Sequence, residues 1–224
     1  MFIGQSAVFF CADITRTSDR FVLDMAEPAE KRFKSSLPRC ASHRSSRGRG
    51  VLTLQAAVEE ALCGVSSLLF HGVYKLQALA SAFERDDLAL PRVALFFHHM
   101  AQTQQEEAQE LLRYLSQRGG TYCGHDVQRP DCETVCSVLA ALELLGLLLR
   151  EEVGVLVELQ GLFRDHADPQ TWSMVQTLLL NPRVERLKQI GDLLSNARRL
   201  GCTTDTRGRF GEYLLNELQD ELKD

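Results

Sequence analysis

Two polar residues stand where a buried stripe should be apolar. Stepping by three and four through the segment that ends at Gly119-Gly120 gives Val93, Phe97, Met100, Gln104, Glu107, Leu111 and Leu115. An amide and a carboxylate thus interrupt the inward face of an amphipathic helix at its middle. A second stripe, Trp172, Val175, Leu179, Arg183, Leu187, Ile190 and Leu194, is interrupted in the same way by a guanidinium. Three outcomes are open for this set. Glu107 and Arg183 can meet as an interior ion pair with Gln104 bonded nearby, and losing one partner of such a pair costs about 3 to 5 kcal/mol. Glu107 can instead run its stem out to solvent while Arg183 bends away at Pro182. The third outcome is a single metal ion at Glu107, held against the repulsion of Arg183.

Other residues with chemical reach are less organised. The stretch "YCGHDVQRPDCETVC" brings Cys123, His125, Cys132 and Cys136 together, and thiols with imidazole are what zinc prefers. The spacing matches no zinc module, so the expectation is a surface loop with ordinary thiols. Seven cysteines, an odd number without a CxxC pair, make no disulfide framework and favour a reducing compartment. His98 and His99 could bind a transition metal weakly, with an ordinary solvated face as the plainer account.

These side chains need a body to hold them. A chain of 224 residues, 45% hydrophobic and 25% charged, suffices for one substantial core. Its formal charge of -5 is uneven: residues 1–50 carry nine Lys/Arg against five Asp/Glu, leaving an acidic remainder. The run from Lys31 to Arg49 has seven basic residues, several serines and no acid, and reads as a solvated, disordered extension rather than a nucleic-acid or membrane-surface element. Asp13, Asp19, Asp24, Glu27 and Glu30 argue against a mitochondrial transit peptide, and "AVFFCA" is too short for a secretory segment. The uninterrupted apolar runs fall short of the roughly 18 to 20 residues that span a bilayer, so no transmembrane helix is expected.

From Leu52 onward the periodicity is helical throughout. A first helix is expected from about Thr53 to Ala82, and a second from Pro91, ending with Arg118 and the glycine pair. A dozen-residue loop, too long for a tight turn, implies a crossover to the other end of the bundle. The third helix is expected to open near "PDCET", with Val135, Leu142, Leu145, Leu149, Leu156 and Phe163 facing inward. Asp168 should cap a fourth helix that runs to Leu200 and is kinked at Pro182. A short last helix, "FGEYLLNEL", closes the chain.

Four such helices with one long crossover form the ferritin-like arrangement. The motifs "FERDDLAL", "QRGG", "RPDC", "ADP", "GDLLSN" and "GEYL" stand in the order and at the separations found in animal ferritin subunits. Over residues 54–218 the chain resembles a ferritin; the first 50 residues match nothing in that pattern. The resemblance implies a site to look for, since heavy-type subunits oxidise ferrous iron at a di-iron centre of carboxylates and a histidine inside the bundle. Ungapped alignment puts the family's first-helix glutamate on Leu69 and its tyrosine on Leu76. It puts the second-helix glutamate and histidine on Gln104 and Glu107, the third-helix glutamate on Leu149, and the fourth-helix glutamine on Arg183. Each position differs from the family's, and leucine binds no metal, so the chain is expected to have no catalytic residue and not to be an enzyme. A working centre would need substitutes such as Glu143, Glu151 or Glu152.

Light-type subunits still help to store iron, with cavity-facing acids on the second helix. Glu106 is retained there, beside His99, Gln102, Thr103 and Gln109, so Glu106 and Glu107 are the candidate metal residues. The acids that line the family's three-fold channels fall on Ser173 and Gln176, which would weaken the field that draws cations in. The expectation is an all-α, ferritin-like four-helix bundle with a short fifth helix over 51–224, preceded by the extension at 1–50. Its implied role is cytoplasmic iron storage as a non-catalytic member of a shell of twenty-four ferritin subunits, with iron as the mineral held and no organic cofactor. The alternative is a ferritin-derived structural or regulatory protein that no longer handles iron.

Overall fold

The computed structural model describes residues 54–124, 135, 137–202, 211–214 and 216, and all regular structure among them is helical. Helix α1 spans Ala56–Glu84, α2 Pro91–Gln117 and α3 Val138–Asp165. The fourth long helix consists of α4, Pro169–Val175, a π-helical turn over Gln176–Leu180, and α5, Asn181–Arg199. Residues 211–214 and 216 are helical as well and form α6. The all-α reading holds. Three boundaries move: α1 begins at Ala56 and ends at Glu84, and α3 opens at Val138, where the Ser137 side chain accepts from the Ala140 amide at 3.2 Å. The "PDCE" residues that were expected to open it lie outside the described residues.

Hydrogen bonds at the helix ends fix the topology. The Gln55 side chain donates to the His166 carbonyl, the Thr121 amide donates to Glu59 at 2.7 Å, and Arg118 pairs with Asp168 at 2.9 Å. The start of α1, the end of α2, the end of α3 and the start of α4 therefore share one end of the bundle. At the opposite end Asn216 accepts from the Arg92 and Val93 amides at 3.0 and 3.3 Å, while Glu212 accepts from the Val138 amide at 2.9 Å. Helices α2 and α3 thus begin together and run parallel, so the chain between them recrosses the bundle, about 40 Å for a helix of this length. This is the crossover that the long loop implied.

Each end is closed by polar groups that the helices cannot supply for themselves. Neither Gln55 nor Leu90 caps its own helix with a side chain; for α2 the Asn216 oxygen does so from the far end of the chain, satisfying two of the orphan amides of a first turn. At the other end Asp168 accepts from the Thr171 amide at 3.1 Å and the Thr171 hydroxyl at 2.8 Å, and the Arg118 guanidinium donates to the Tyr114 hydroxyl at 2.6 Å. Burial opposes the Asp168 charge, but the hydrogen bonds from Thr171 and Arg118 outweigh it and hold the carboxyl below its ordinary range. Ala89 and Ala167, just before α2 and α4, adopt φ of 49° and 51°, a left-handed conformation that costs a side-chain-bearing residue energy.

The core between these ends is apolar and close-packed. Phe83 stacks on Phe97 with ring centroids 5.6 Å apart, amid the buried Leu76, Leu79, Leu142 and Leu145. By length and composition alone α1 could cross a membrane. Its apolar side chains, Val58, Leu62, Val65, Leu69 and Leu76 among them, are instead buried against the neighbouring helices.

Pro182 also behaves differently from the expected simple kink. The residues before it widen into the π turn, in which the Asn181 amide donates to the Gln176 carbonyl five residues back. A proline removes one backbone donor and crowds the preceding turn, and a π turn is one way a helix absorbs such a mismatch. The helix then continues, carrying Arg183 inward.

Candidate functional site

Arg183 is fully buried, and what surrounds it decides the chemistry of the bundle centre. Its Nη1 donates to Glu107 Oε2 at 2.8 Å and its Nε to Glu152 Oε2 at 2.6 Å, while Nη1 also reaches the Leu179 carbonyl at 3.0 Å. Glu107 from α2 receives a second guanidinium, Arg186 Nη2, on Oε1 at 2.6 Å. Glu152 from α3 receives Gln104 Nε2 on Oε1 at 2.7 Å, and that same amide lies 3.2 Å from the Leu69 carbonyl of α1. One network therefore joins α1, α2, α3 and α5. Side-chain exposures of 0% for Arg183, 8% for Glu107 and 1% for Glu152 place it out of water.

Of the three outcomes open for Glu107, the structure has the interior ion pair. The carboxylate does not run out to solvent, and Pro182 does not turn Arg183 away. Both Glu107 oxygens accept from guanidinium groups, so a metal ion at Glu107 would have to compete with Arg183 and Arg186 for them.

Local sequence explains how the groups fit. Gly72 on α1 leaves the space that the Gln104 amide fills; a Cβ there would overlap Gln104 Nε2 and stand 2.9 Å from Glu152 Oε1. Two arginines and two glutamates balance in formal charge, so the cluster closes on itself. Burial pushes the Glu152 carboxyl above its ordinary range, against the pull of Arg183 and Gln104. Burial also works against the Arg183 charge, but Glu152 and Glu107 outweigh it and raise the guanidinium pKa. Two atoms stay unsatisfied: Arg183 Nη2 and Arg186 Nη1 are buried without a hydrogen-bond partner.

The remaining residues at the family's ligand positions do not offer a metal centre. Leu69, Leu76 and Leu149 are fully buried core side chains. All four carboxylate oxygens of Glu107 and Glu152 are engaged by Arg183, Arg186 and Gln104, and among the described residues no three His, Cys, Asp or Glu side chains cluster as a metal site. Such a donor set does not fit a di-iron centre. Of the possible substitute ligands, Glu143 is exposed and pairs with Arg198 at 3.0 Å, Glu151 is exposed, and only Glu152 enters the interior.

Outside the centre, Glu106 is exposed on α2 and accepts from Gln102 at 3.1 Å. His98 pairs with Glu84 at 3.0 Å, whereas His99 is simply exposed. Ser173 and Gln176 are exposed on the fourth helix. Cys123 is disulfide-bonded, which corrects the reading of ordinary thiols at that position; His125, Cys132 and Cys136 lie outside the described residues.

Sequence reasoning named Glu152 only as a substitute ligand, missing its place in the ion pair, and missed Arg186 and Gly72 altogether. Glu152 had a signal, because stepping from Leu149 by three and then four reaches Glu152 and Leu156. Arg186 had none, since it sits in a charged stretch, "PRVERLKQ", that reads as a solvated face.

The model of the ferritin-like domain family matches residues 59–200. The chain is 34% identical over 161 residues to the ferritin light chain of Oryctolagus cuniculus, covering 72% of this chain and 90% of that one. It is 30% identical over 151 residues to the ferritin lower subunit of Aquarana catesbeiana, covering 67% and 86% respectively. With the four-helix topology, the crossover and these matches together, the chain belongs to the ferritin family.

Proposed function

We propose that this chain is a non-catalytic, light-type subunit of a hollow ferritin shell that serves cytoplasmic iron storage and iron homeostasis, with iron as cargo rather than as a resident cofactor. The observation that carries the reading is the Arg183 guanidinium at the bundle centre, bonded to both interior carboxylates. A site that already holds a cation of its own, among buried leucines, has no coordination positions with which to bind and oxidise ferrous iron. The names of the relatives, a light chain and a lower subunit, speak for the same role. In a mixed shell the oxidation would be done by a catalytic ferritin subunit. Glu106, exposed on α2, is the carboxylate available to the mineral. Residues 51–224 would form the shell-building domain, with 1–50 as an extension of it.

One observation favours a second reading. Ser173 and Gln176 stand exposed where the resemblance puts the acids of the entry channels, which suits a ferritin-derived structural protein that takes in no iron. Size exclusion with light scattering separates the readings, run on the chain alone and after co-expression with a catalytic ferritin subunit, with iron quantified in each peak and ferrous oxidation followed optically. The light-type reading expects iron-loaded shells in the mixture and no oxidation by the chain alone. Ferrous oxidation by the chain alone refutes it, and small oligomers that never join a shell support the structural reading instead.

A further inference from the structure

We infer that Cys63 and Cys123 form a thiol–disulfide exchange pair, by which the disulfide now held by Cys123 passes reversibly to α1. The device lies at the bundle end where α1 begins and α2 ends, away from the charged centre, and it goes beyond the storage role proposed above.

Contacts from α1 to the start of the crossover bring the two residues together. Helix α1 grips Thr121 from both sides of its backbone: Glu59 accepts from the Thr121 amide at 2.7 Å, and one helical turn on, the Cys63 thiol donates to the Thr121 carbonyl at 3.6 Å. The Cys123 backbone amide faces the same sulfur and favours its thiolate. Cys63 is a free thiol, 2% exposed, whereas Cys123, half-buried, is disulfide-bonded. A sulfur nucleophile and a disulfide sulfur thus belong to residues already in contact, which is the arrangement that exchange requires. The step needs no added oxidant. Cys63 gives its proton to solvent, its thiolate attacks Cys123 Sγ, and a Cys63–Cys123 bond forms. The bond from Cys123 to its former partner breaks; that sulfur leaves with the electron pair and takes up a proton, so the number of disulfides is unchanged. Burial opposes the Cys63 thiolate and the Glu59 and Glu60 charges add to the opposition, against the pull of the Cys123 amide. Exchange is therefore slow, and each state persists. In a reducing compartment disulfides are mostly transient and regulatory, and a thiol beside one gives the crossover two covalent states, one bonded to α1 and one not.

Disulfide mapping tests the exchange. The full wild-type chain, purified without reductant, is held at about pH 8, where thiolates begin to populate. It is then quenched, capped with N-ethylmaleimide and digested unreduced, and its linked peptides are identified by mass spectrometry. The expected result is a Cys63–Cys123 peptide that grows with time while the number of free thiols stays constant, with Cys63 joined to Cys123 about tenfold or more often than to any other cysteine. Cys202, the other free thiol among the described residues, is buried beside Gly211 of α6 at the far end of the bundle and should stay unlinked. In concentrated urea both preferences should vanish. Cys63→Ala should keep the original Cys123 disulfide and give no new linkage; the comparison of folded with urea-unfolded wild type decides the matter whether or not that variant folds. The inference is overturned if Cys123 carries no disulfide in the purified chain, if no Cys63–Cys123 peptide forms, or if Cys63 pairs with other cysteines as often in the folded chain as in urea. Iron loading and shell assembly test the storage role separately and leave this comparison standing.

Discussion

Replacing Arg183 by leucine should be among the most damaging single changes in the described part of the chain. The substitution removes three donors at once: those to Glu152 at 2.6 Å, to Glu107 at 2.8 Å and to the Leu179 carbonyl at 3.0 Å. Glu107 retains Arg186 on its other oxygen, but Glu152, 1% exposed, is left with Gln104 alone. Breaking a buried pair in this way costs about 3–5 kcal/mol, mostly the penalty of the stranded charge. In a domain of this size that corresponds to a loss of about 6–20 °C in Tm. Removing all four charges together, as Glu107→Leu, Glu152→Leu, Arg183→Leu and Arg186→Leu, should cost far less than the single change, because no charge of the cluster is then stranded in the core. The pH dependence supplies a signature of its own. Glu152 already has a raised pKa, and losing Arg183 raises it further; a raised acid penalises the fold above its folded pKa and the penalty is relieved as pH falls toward the unfolded value of about 4.3. The deficit of Arg183→Leu relative to wild type should therefore shrink from pH 8 to pH 5. Urea denaturation at the two pH values measures it, and a deficit below about 1 kcal/mol at pH 8 would refute the reasoning.

Three further outcomes can be checked by the same denaturation assay. Gly72→Ala, which in an open helix would stabilise, should destabilise by about 1–3 kcal/mol because the new methyl collides with the Gln104 amide. Ala167→Gly should stabilise by up to about 1 kcal/mol, since it removes a left-handed alanine with φ of 51°. Asp168→Asn should cost about 1–3 kcal/mol at pH 7, where it weakens both the cap on Thr171 and the pair with Arg118. Because the Asp168 pKa is held low, its contribution is present above the unfolded value of about 3.9 and disappears as pH falls through the folded one, so the variant and wild type should converge in acid.

The ion pair was legible in the sequence because Glu107 and Arg183 each break an otherwise apolar stripe, and a charge forced inward needs a partner. Glu152 obeys the same rule. It was obscured because the residues before it, "LELLGLLL", are apolar on nearly every face and blur the helical period. Gly72 has no periodic signature: its reason is an amide on α2, across the bundle. The crossover could be read from loop length alone, but the π turn could not, since a shift of one residue in backbone pairing leaves no mark beyond the proline that follows it. The motifs that carried the family resemblance turn out to work mainly at helix ends. Arg118 of "QRGG", Asp168 of "ADP" and Glu212 of "GEYL" all bond across them, which explains why they stay recognisable where the ligand positions do not.

The double cap made by α6 bears on how the chain is completed during synthesis. Arg92 and Asn216 are separated by 124 positions, so the start of α2 waits for its acceptor until all of that intervening chain has left the ribosome. Until then the first turn of α2 lacks its side-chain acceptor and that of α3 has only Ser137, each cap of this kind contributing about 1 kcal/mol. A product of premature termination before Glu212 would lose Asn216 from α2 and Glu212 from α3 in one event, though every residue of the four long helices had been made. Quality control acting on frayed helix starts would thus sense whether residues 212–216 have been made, far from the charged centre of the bundle.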